Sequence, residues 1–365
     1  MQASDDPIEA VSQRLASFVT DQSATWASEG AEAAGFVRAG ADALTGGKRL
    51  RARFCLAGWQ AVAETRSTDD SPAVPGDDVI AAAAALEIFH AAALVHDDLI
   101  DNSDTRRGRP AAHRALEAAH RAAGWAGDAA AFGRSGAILL GDLLVAWSDD
   151  LLEAGLRTAE HAAAAREVYA LMRREVTVGQ FLDIAEEAAY VTSPDDTHAE
   201  RALRVASLKS ARYSVQHPLL LGAALAGADA AQTRALSAFG HPLGLAFQLR
   251  DDVLGVFGDS AVTGKPSGDD LREGKRTVLV AYTRESLDAG ARAAFDALLG
   301  DPSLDDAQIT ALQQTIRDSG ALDRVEELIS RSAAEADDAL RGADLGTEAM
   351  QGLLRLSRDA TARAA

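Results

Sequence analysis

This 365-residue chain has one cysteine, Cys55, and only 5% of its residues are aromatic. A single thiol excludes an intramolecular disulfide framework and a Cys-rich zinc site. In an apolar stretch it reads as a small core residue, and such usage fits a reducing, cytoplasmic setting. Basic residues are outnumbered: 36 Lys and Arg face 55 Asp and Glu, a net charge of -19. Such a surface repels a phosphate backbone, so nucleic acid is not an expected partner. No basic segment followed by an apolar run opens the chain, so no secretory signal is expected. The most apolar stretch, Ile80 to Val95, is interrupted by Glu87 and His90. It is shorter than the roughly 20 residues of a bilayer span, which predicts a buried helix and no membrane span. Alternating Val/Ile/Thr runs, solenoid repeats and an interdomain linker are also missing.

What is present is helix. Ile8, Val11, Leu15 and Val19 recur at three and four positions, and Ser4-Asp5-Asp6-Pro7 places a cap before a first-turn proline. Gly46-Gly47 ends a second helix. Loops are expected at 68–78, 101–110, 124–136 and 300–306, and a charged, Gly/Pro-bearing flap at 259–275. The reading is one all-α domain over residues 1–365, with a flexible N-terminus.

Two acid clusters stand out. His96-Asp97-Asp98-Leu99-Ile100-Asp101 closes the apolar helix, with Asp97 and Asp101 on one face. Asp is a poor helix interior residue, and a helix C-terminus disfavours negative charge. A cation explains the arrangement better than stability does. Mg2+ takes one or two carboxylates plus substrate phosphates. The bland alternative for this cluster alone is a solvated acidic helix end. Gln248-Leu249-Arg250-Asp251-Asp252 ends a second helix, predicted over Pro242 to Val256, and repeats the pattern. Helical proteins build multi-metal sites from such pairs. The basic counterparts lie at loop–helix junctions: Lys48 and Arg51 after Gly46-Gly47, Arg106-Arg107-Gly108-Arg109, Lys209, Lys265 and Lys275. A helix start with Lys48 and Arg51 three apart is a phosphate cradle. Together the clusters describe two anion sites, one bridged by metal and one held by Arg and Lys.

Those motifs, in that order, resemble the trans-isoprenyl diphosphate synthases (polyprenyl synthetases), over about residues 40 to 280. Gly47-Lys48-Arg49-Leu50-Arg51 is similar to the isopentenyl diphosphate turn, with His90 its helical partner. Asp97–Asp101 resembles the first Asp-rich motif, and Arg106-Arg107-Gly108 its arginine tail. Gly179-Gln180-Phe181-Leu182-Asp183, Lys209-Ser210, Gln248–Asp252 and the Lys265–Lys275 flap match later motifs. The family's second motif has a third Asp, where this chain has Gly255, with Asp259 further along.

The resemblance implies an all-α bundle around a deep central cavity, a homodimer, and condensation of isopentenyl diphosphate with an allylic diphosphate. Mg2+ ions would be held by Asp97, Asp98, Asp101, Asp251 and Asp252. Arg106, Lys209 and Lys265 would add positive charge to the allylic diphosphate; Gly47, Lys48, Arg51, His90 and Arg107 would hold the second diphosphate; Ser210, Gln248 and Lys275 would also bind substrate. The catalytic set would be Asp97, Asp101, Lys209, Asp251 and Lys265. Bulky residues four or five positions before the first Asp commonly limit the product in this family. Here those positions are Ala93 and Ala92, and Phe89 is the first large side chain below. A C20 product, geranylgeranyl diphosphate, is expected, with longer polyprenyl or farnesyl products as the alternatives. Three other readings are a helical His-Asp phosphohydrolase using His96 and His113, a class I terpene cyclase, and a non-catalytic subunit of a heteromeric synthase.

Overall fold

A computed structural model describes residues 6–66, 73–258 and 267–361. Nearly all of it is helix, as expected; the described strands are a two-residue pair, Thr105–Arg106 and Arg109–Pro110. The first ten helices are α1 (Pro7–Trp26), α2 (Ala31–Ala43), α3 (Leu50–Arg66), α4 (Asp77–Ile100), α5 (Ala112–Ala122), α6 (Ala129–Leu156), α7 (Ala162–Ala189), α8 (His198–Val205), α9 (His217–Leu225) and α10 (Ala230–Phe257).

Several boundaries follow from capping. Asp6 accepts from the Ile8 N–H in front of Pro7, as the sequence predicts. Asp128 accepts from Ala130 and Ala131, so α6 starts at Ala129 and most of the loop expected over 124–136 is helix instead. The Ala-rich run there favours helix once it is capped. Asp229 and Gln232 form a capping box, so α10 begins twelve residues before the expected start and contains Pro242. The flap expected over 259–275 is described only from Ser267 onward, where Asp269–Glu273 forms a short helix.

The chain divides into two compact units. The first comprises Met1–Ala63, Ser67–Ala164 and Leu221–Gly227. Its central element is α4, packed along α6 and against α1. The Ala81–Ala85 run is fully buried, and these small side chains let α6 approach closely. A Cβ on Gly155 would overlap Ala81, and one on Gly141 would overlap the His96 ring. Ser148 donates to the Ala85 carbonyl at 2.6 Å. Glu87, the acidic residue inside the apolar run, is buried but accepts from the Ala52 N–H at 3.1 Å and pairs with Arg49 at 3.7 Å. It satisfies the start of α3 from α4, which is what makes its burial tolerable.

The second unit comprises Glu64–Arg66, Ala165–Leu220 and Ala228–Ala365. Here α10 is central. It packs on the helix Ala321–Ala339 and on Ala206–Gln216, a π-helical stretch that joins α8 to α9. Leu249, Val253, Val256, Leu271, Ile316 and Val325 belong to one buried cluster. Gly244 lies against the Ala211 backbone, so a Cβ there would clash. Arg250 clamps Glu326 with two 2.6 Å hydrogen bonds.

Two helices, Asp77–Ile100 and Ala129–Leu156, are long and apolar enough to cross a membrane by length and composition. The most apolar window of the first is 78% buried inside the protein, that of the second 28%. The first is the buried helix predicted over 80–95.

Candidate active site

The first acid cluster forms the last turn of α4 in the first unit. Asp98 is buried, its side chain 4% exposed, while that of Asp97 is 22% exposed. Arg106 holds Asp98: its Nε donates to Oδ1 at 2.8 Å and its Nη2 makes a closer contact to the same oxygen. Arg106 Nη2 also lies 3.6 Å from Asp97 Oδ2. Burial pushes the Asp98 carboxyl above its ordinary range, against the pull of Arg106. Arg106, expected on the allylic diphosphate, is thus committed first to Asp98. Asp101 caps α4 and remains half-buried.

The short strand pair positions the other basic residues. Arg107 (φ 53) and Gly108 (φ 71) form its two-residue turn, both in the left-handed region as such hairpins require. This aims the Arg107 guanidinium at the Gly46-Gly47 turn. A Cβ on Gly47 would lie 3.1 Å from Arg107 Nη2, so the glycine leaves room for that guanidinium. Arg109 donates to Thr45 Oγ1 at 3.0 Å. The His90 imidazole is held well below its ordinary pKa by burial first, then by Arg51, Arg107, Arg106 and Arg49. It stays neutral among these guanidiniums. Gly47, Arg51, His90, Arg106 and Arg107 therefore share one basic neighbourhood, suited to a diphosphate. Lys48 is exposed, and its carbonyl accepts from Arg53 Nε at 3.0 Å. Arg49 was not singled out by the sequence; the signal was Glu87, an acid in an apolar run that needed a cation.

His96 sits over Gly141, its Nε2 3.2 Å from the Ile138 carbonyl and 3.7 Å from Asp142 Oδ1. His113 is buried, 3.9 Å from Asp104. Among the described residues, neither joins a metal-holding cluster of three His, Cys, Asp or Glu side chains.

In the second unit, Asp251 is exposed and Asp252 is buried. Gln248, one turn earlier, donates Nε2 to Asp252 Oδ1 at 2.6 Å. Burial first, then the Asp270 and Asp251 charges, push the Asp252 carboxyl up to about 8, against Gln248 and Lys275. Lys275 pairs with Glu273 at 2.9 Å and Asp270 at 3.7 Å. Lys209 donates to Asp183 at 2.6 Å. That contact needs α7 to run close to the π-helical stretch, and a Cβ on Gly179 would meet the Lys209 backbone N at 2.5 Å. Ser210 is half-buried beside Lys209 in chain order. Gln180 Nε2, in the Gly179–Asp183 motif, is buried with no hydrogen-bond partner among the described residues, which marks it as a further candidate site residue. Lys265, Gly264 and Asp259 lie outside the described residues.

Among the described residues, no three His, Cys, Asp or Glu side chains form a ready-made metal cage. Each acid cluster instead offers one or two carboxylates, hard oxygen donors that suit Mg2+ completed by substrate phosphate.

The sequence profile for polyprenyl synthetases matches residues 36–316, a stretch that runs through both units. The chain belongs to the polyprenyl synthetase family. The structure superimposes on a geranylgeranyl pyrophosphate synthase of Corynebacterium glutamicum, solved with isoprenyl diphosphate and magnesium. That similarity has a TM-score of 0.90 and 40% identity over 99% of each chain. The geranylgeranyl diphosphate synthase of Mycobacterium tuberculosis is 34% identical over 73% of this chain and 71% of its own length. The geranylfarnesyl diphosphate synthase of Natronomonas pharaonis is 33% identical over 78% of this chain and 76% of its own. The polyprenyl synthetase described here is therefore an enzyme, a trans-prenyltransferase acting on isoprenoid diphosphates.

Proposed function

We propose that this synthetase condenses isopentenyl diphosphate head-to-tail with an allylic diphosphate and makes geranylgeranyl diphosphate (C20) as its main product. The observation that carries the product length is α4 below Asp97. Ala92 is 1% exposed and Phe89 7% exposed, so both are interior residues, and Ala93 is half-buried. With alanine at 92 and 93, the first bulky side chain comes at Phe89, about 12 Å below Asp97 at 1.5 Å per residue. An isoprene unit adds four main-chain carbons, comparable with one ~5.4 Å helical turn. The helix thus leaves room for one unit beyond a farnesyl chain. Among the relatives are synthases named for the C20 product and for the next longer, C25, product.

Asp97, Asp101 and Asp251 are the carboxylates that would hold Mg2+, with Asp98 and Asp252 behind them. Their oxygens are hard donors at half-buried or exposed positions, which fits that ion. Bound Mg2+ supplies the positive charge that makes the allylic diphosphate a better leaving group. Lys209, Lys265 and Arg106 add fixed charge to the same group, and Ser210, Gln248 and Lys275 complete its surroundings. Gly47, Lys48, Arg51, His90 and Arg107 bind isopentenyl diphosphate and orient its double bond. The allylic C–O bond breaks and the C–C bond forms. A proton from the isopentenyl unit then leaves to the departing diphosphate, which releases the elongated product.

A homodimer in the cytoplasm completes the proposal. On α6, Phe132, Ile138 and Leu139 are exposed, and on α7, Leu171, Val178, Phe181 and Ile184. Exposed apolar side chains on each of these helices favour a partner subunit.

The test is chromatography of products from purified enzyme, isopentenyl diphosphate and each allylic primer. C20 should dominate, Ala92→Phe should shorten the product toward C15, and Phe89→Ala should lengthen it. Unchanged products in both variants would show that α4 does not measure the chain.

A further inference from the structure

Position 255 lies one helical turn beyond Asp251 and three residues beyond Asp252, on the face of α10 that presents these carboxylates. A carboxylate is wanted there to extend the cluster, yet the residue is Gly255, and glycine costs helix stability. The space beside its bare Cα is filled. A Cβ built on Gly255 would overlap the carboxylate of Asp270, with the farther oxygen at 2.8 Å. Asp270 comes from the next element, the short helix Asp269–Glu273. Two features fix it there. Leu271 is fully buried in the cluster that contains Leu249, Val253 and Val256 of α10. Gly274, at φ 74, then turns the chain back, and the Lys275 N–H donates to the Asp270 carbonyl at 3.1 Å.

We propose that Asp270 supplies from the neighbouring helix the carboxylate that α10 lacks at Gly255. It thereby completes the second acidic cluster as an oxygen donor to the divalent cation and its diphosphate. Gly255 is bare so that Asp270 can enter. The inference rests on the reading that Asp251 holds a cation.

The test is Mn2+ binding to the full-length enzyme with inorganic diphosphate, followed by electron paramagnetic resonance, with circular dichroism as the folding check. Asp251→Asn reports on the underlying reading and Asp270→Asn on the inference. Both should weaken Mn2+ binding, Asp270→Asn by about tenfold or more. Gly255→Ala should also weaken it, because the added methyl displaces the Asp270 carboxylate without removing it. The double variant Gly255→Asp with Asp270→Ala should recover much of the affinity. If Asp251→Asn weakens binding and neither Asp270→Asn nor Gly255→Ala does, Asp270 only pairs with Lys275 and the inference is overturned. If Asp251→Asn also leaves binding unchanged, the cation reading of this helix end fails with it. Should Asp270→Asn not fold, Gly255→Ala and the double variant decide alone.

Discussion

The two acidic helix ends are built alike and held differently. In each Asp-Asp pair the first residue is the more accessible and the second is buried. Asp98, at the end of α4, is held by the charged guanidinium of Arg106. Asp252, at the end of α10, is held by the neutral amide of Gln248, with Asp270 adding a second negative charge nearby. Burial raises both carboxyls; Arg106 opposes the rise at Asp98, whereas the Asp270 and Asp251 charges add to it at Asp252, which keeps a proton up to about pH 8. At the first end one guanidinium faces both Asp97 and Asp98; at the second the nearest cation, Lys275, lies against Asp270 and Glu273.

The largest effect tests whether both ends serve one reaction. Asp97→Ala and Asp251→Ala should each lower turnover by roughly 10²–10³-fold or more while circular dichroism stays helical. Near-normal turnover in one of them would confine the chemistry to the other end. The next test compares the two supports. Removing Arg106 strands a buried charge, so Arg106→Ala should cost about 3–5 kcal/mol of stability in denaturant melts. Gln248→Ala should cost only about 1–3 kcal/mol, because Asp252 can stay protonated. Equal losses would remove the distinction. The smallest effect is on pH dependence. The folded state keeps the Asp252 proton to about pH 8, whereas the unfolded chain releases it near the ordinary 3.8. Over that window the folded state binds more protons, so this group's stabilisation is present in acid and lost as pH rises toward 8. Without added metal, Asp252→Asn should show a flatter decline of melting temperature across that window than the parent enzyme.

Much of this molecule was legible in order along the chain. Helix periodicity, the Asp6 cap, the acid pairs and the Gly46-Gly47 turn are local signals, and the structure has each of them as helix, cap or turn. Other boundaries were misjudged where a local cue was outweighed. Pro242 reads as a helix start, yet the capping box at Asp229 begins α10 earlier. The Gly/Ala-rich stretch after Gly124 reads as a loop, yet Asp128 caps it into α6.

The amino-acid sequence by itself determined the all-α class and the residue types at the site, because helix periodicity, caps and i, i+4 carboxylates act within a few turns. Only tertiary structure decided which carboxylates are buried and what holds them. Arg106 reaches Asp98 through a hairpin whose turn is set by Arg107 and Gly108. Glu87 is paired from the start of α3, and Asp270 fills the space beside Gly255 from another helix. Burial and charge pairing act through space between residues that the chain separates, so their partners are fixed only when the helices pack.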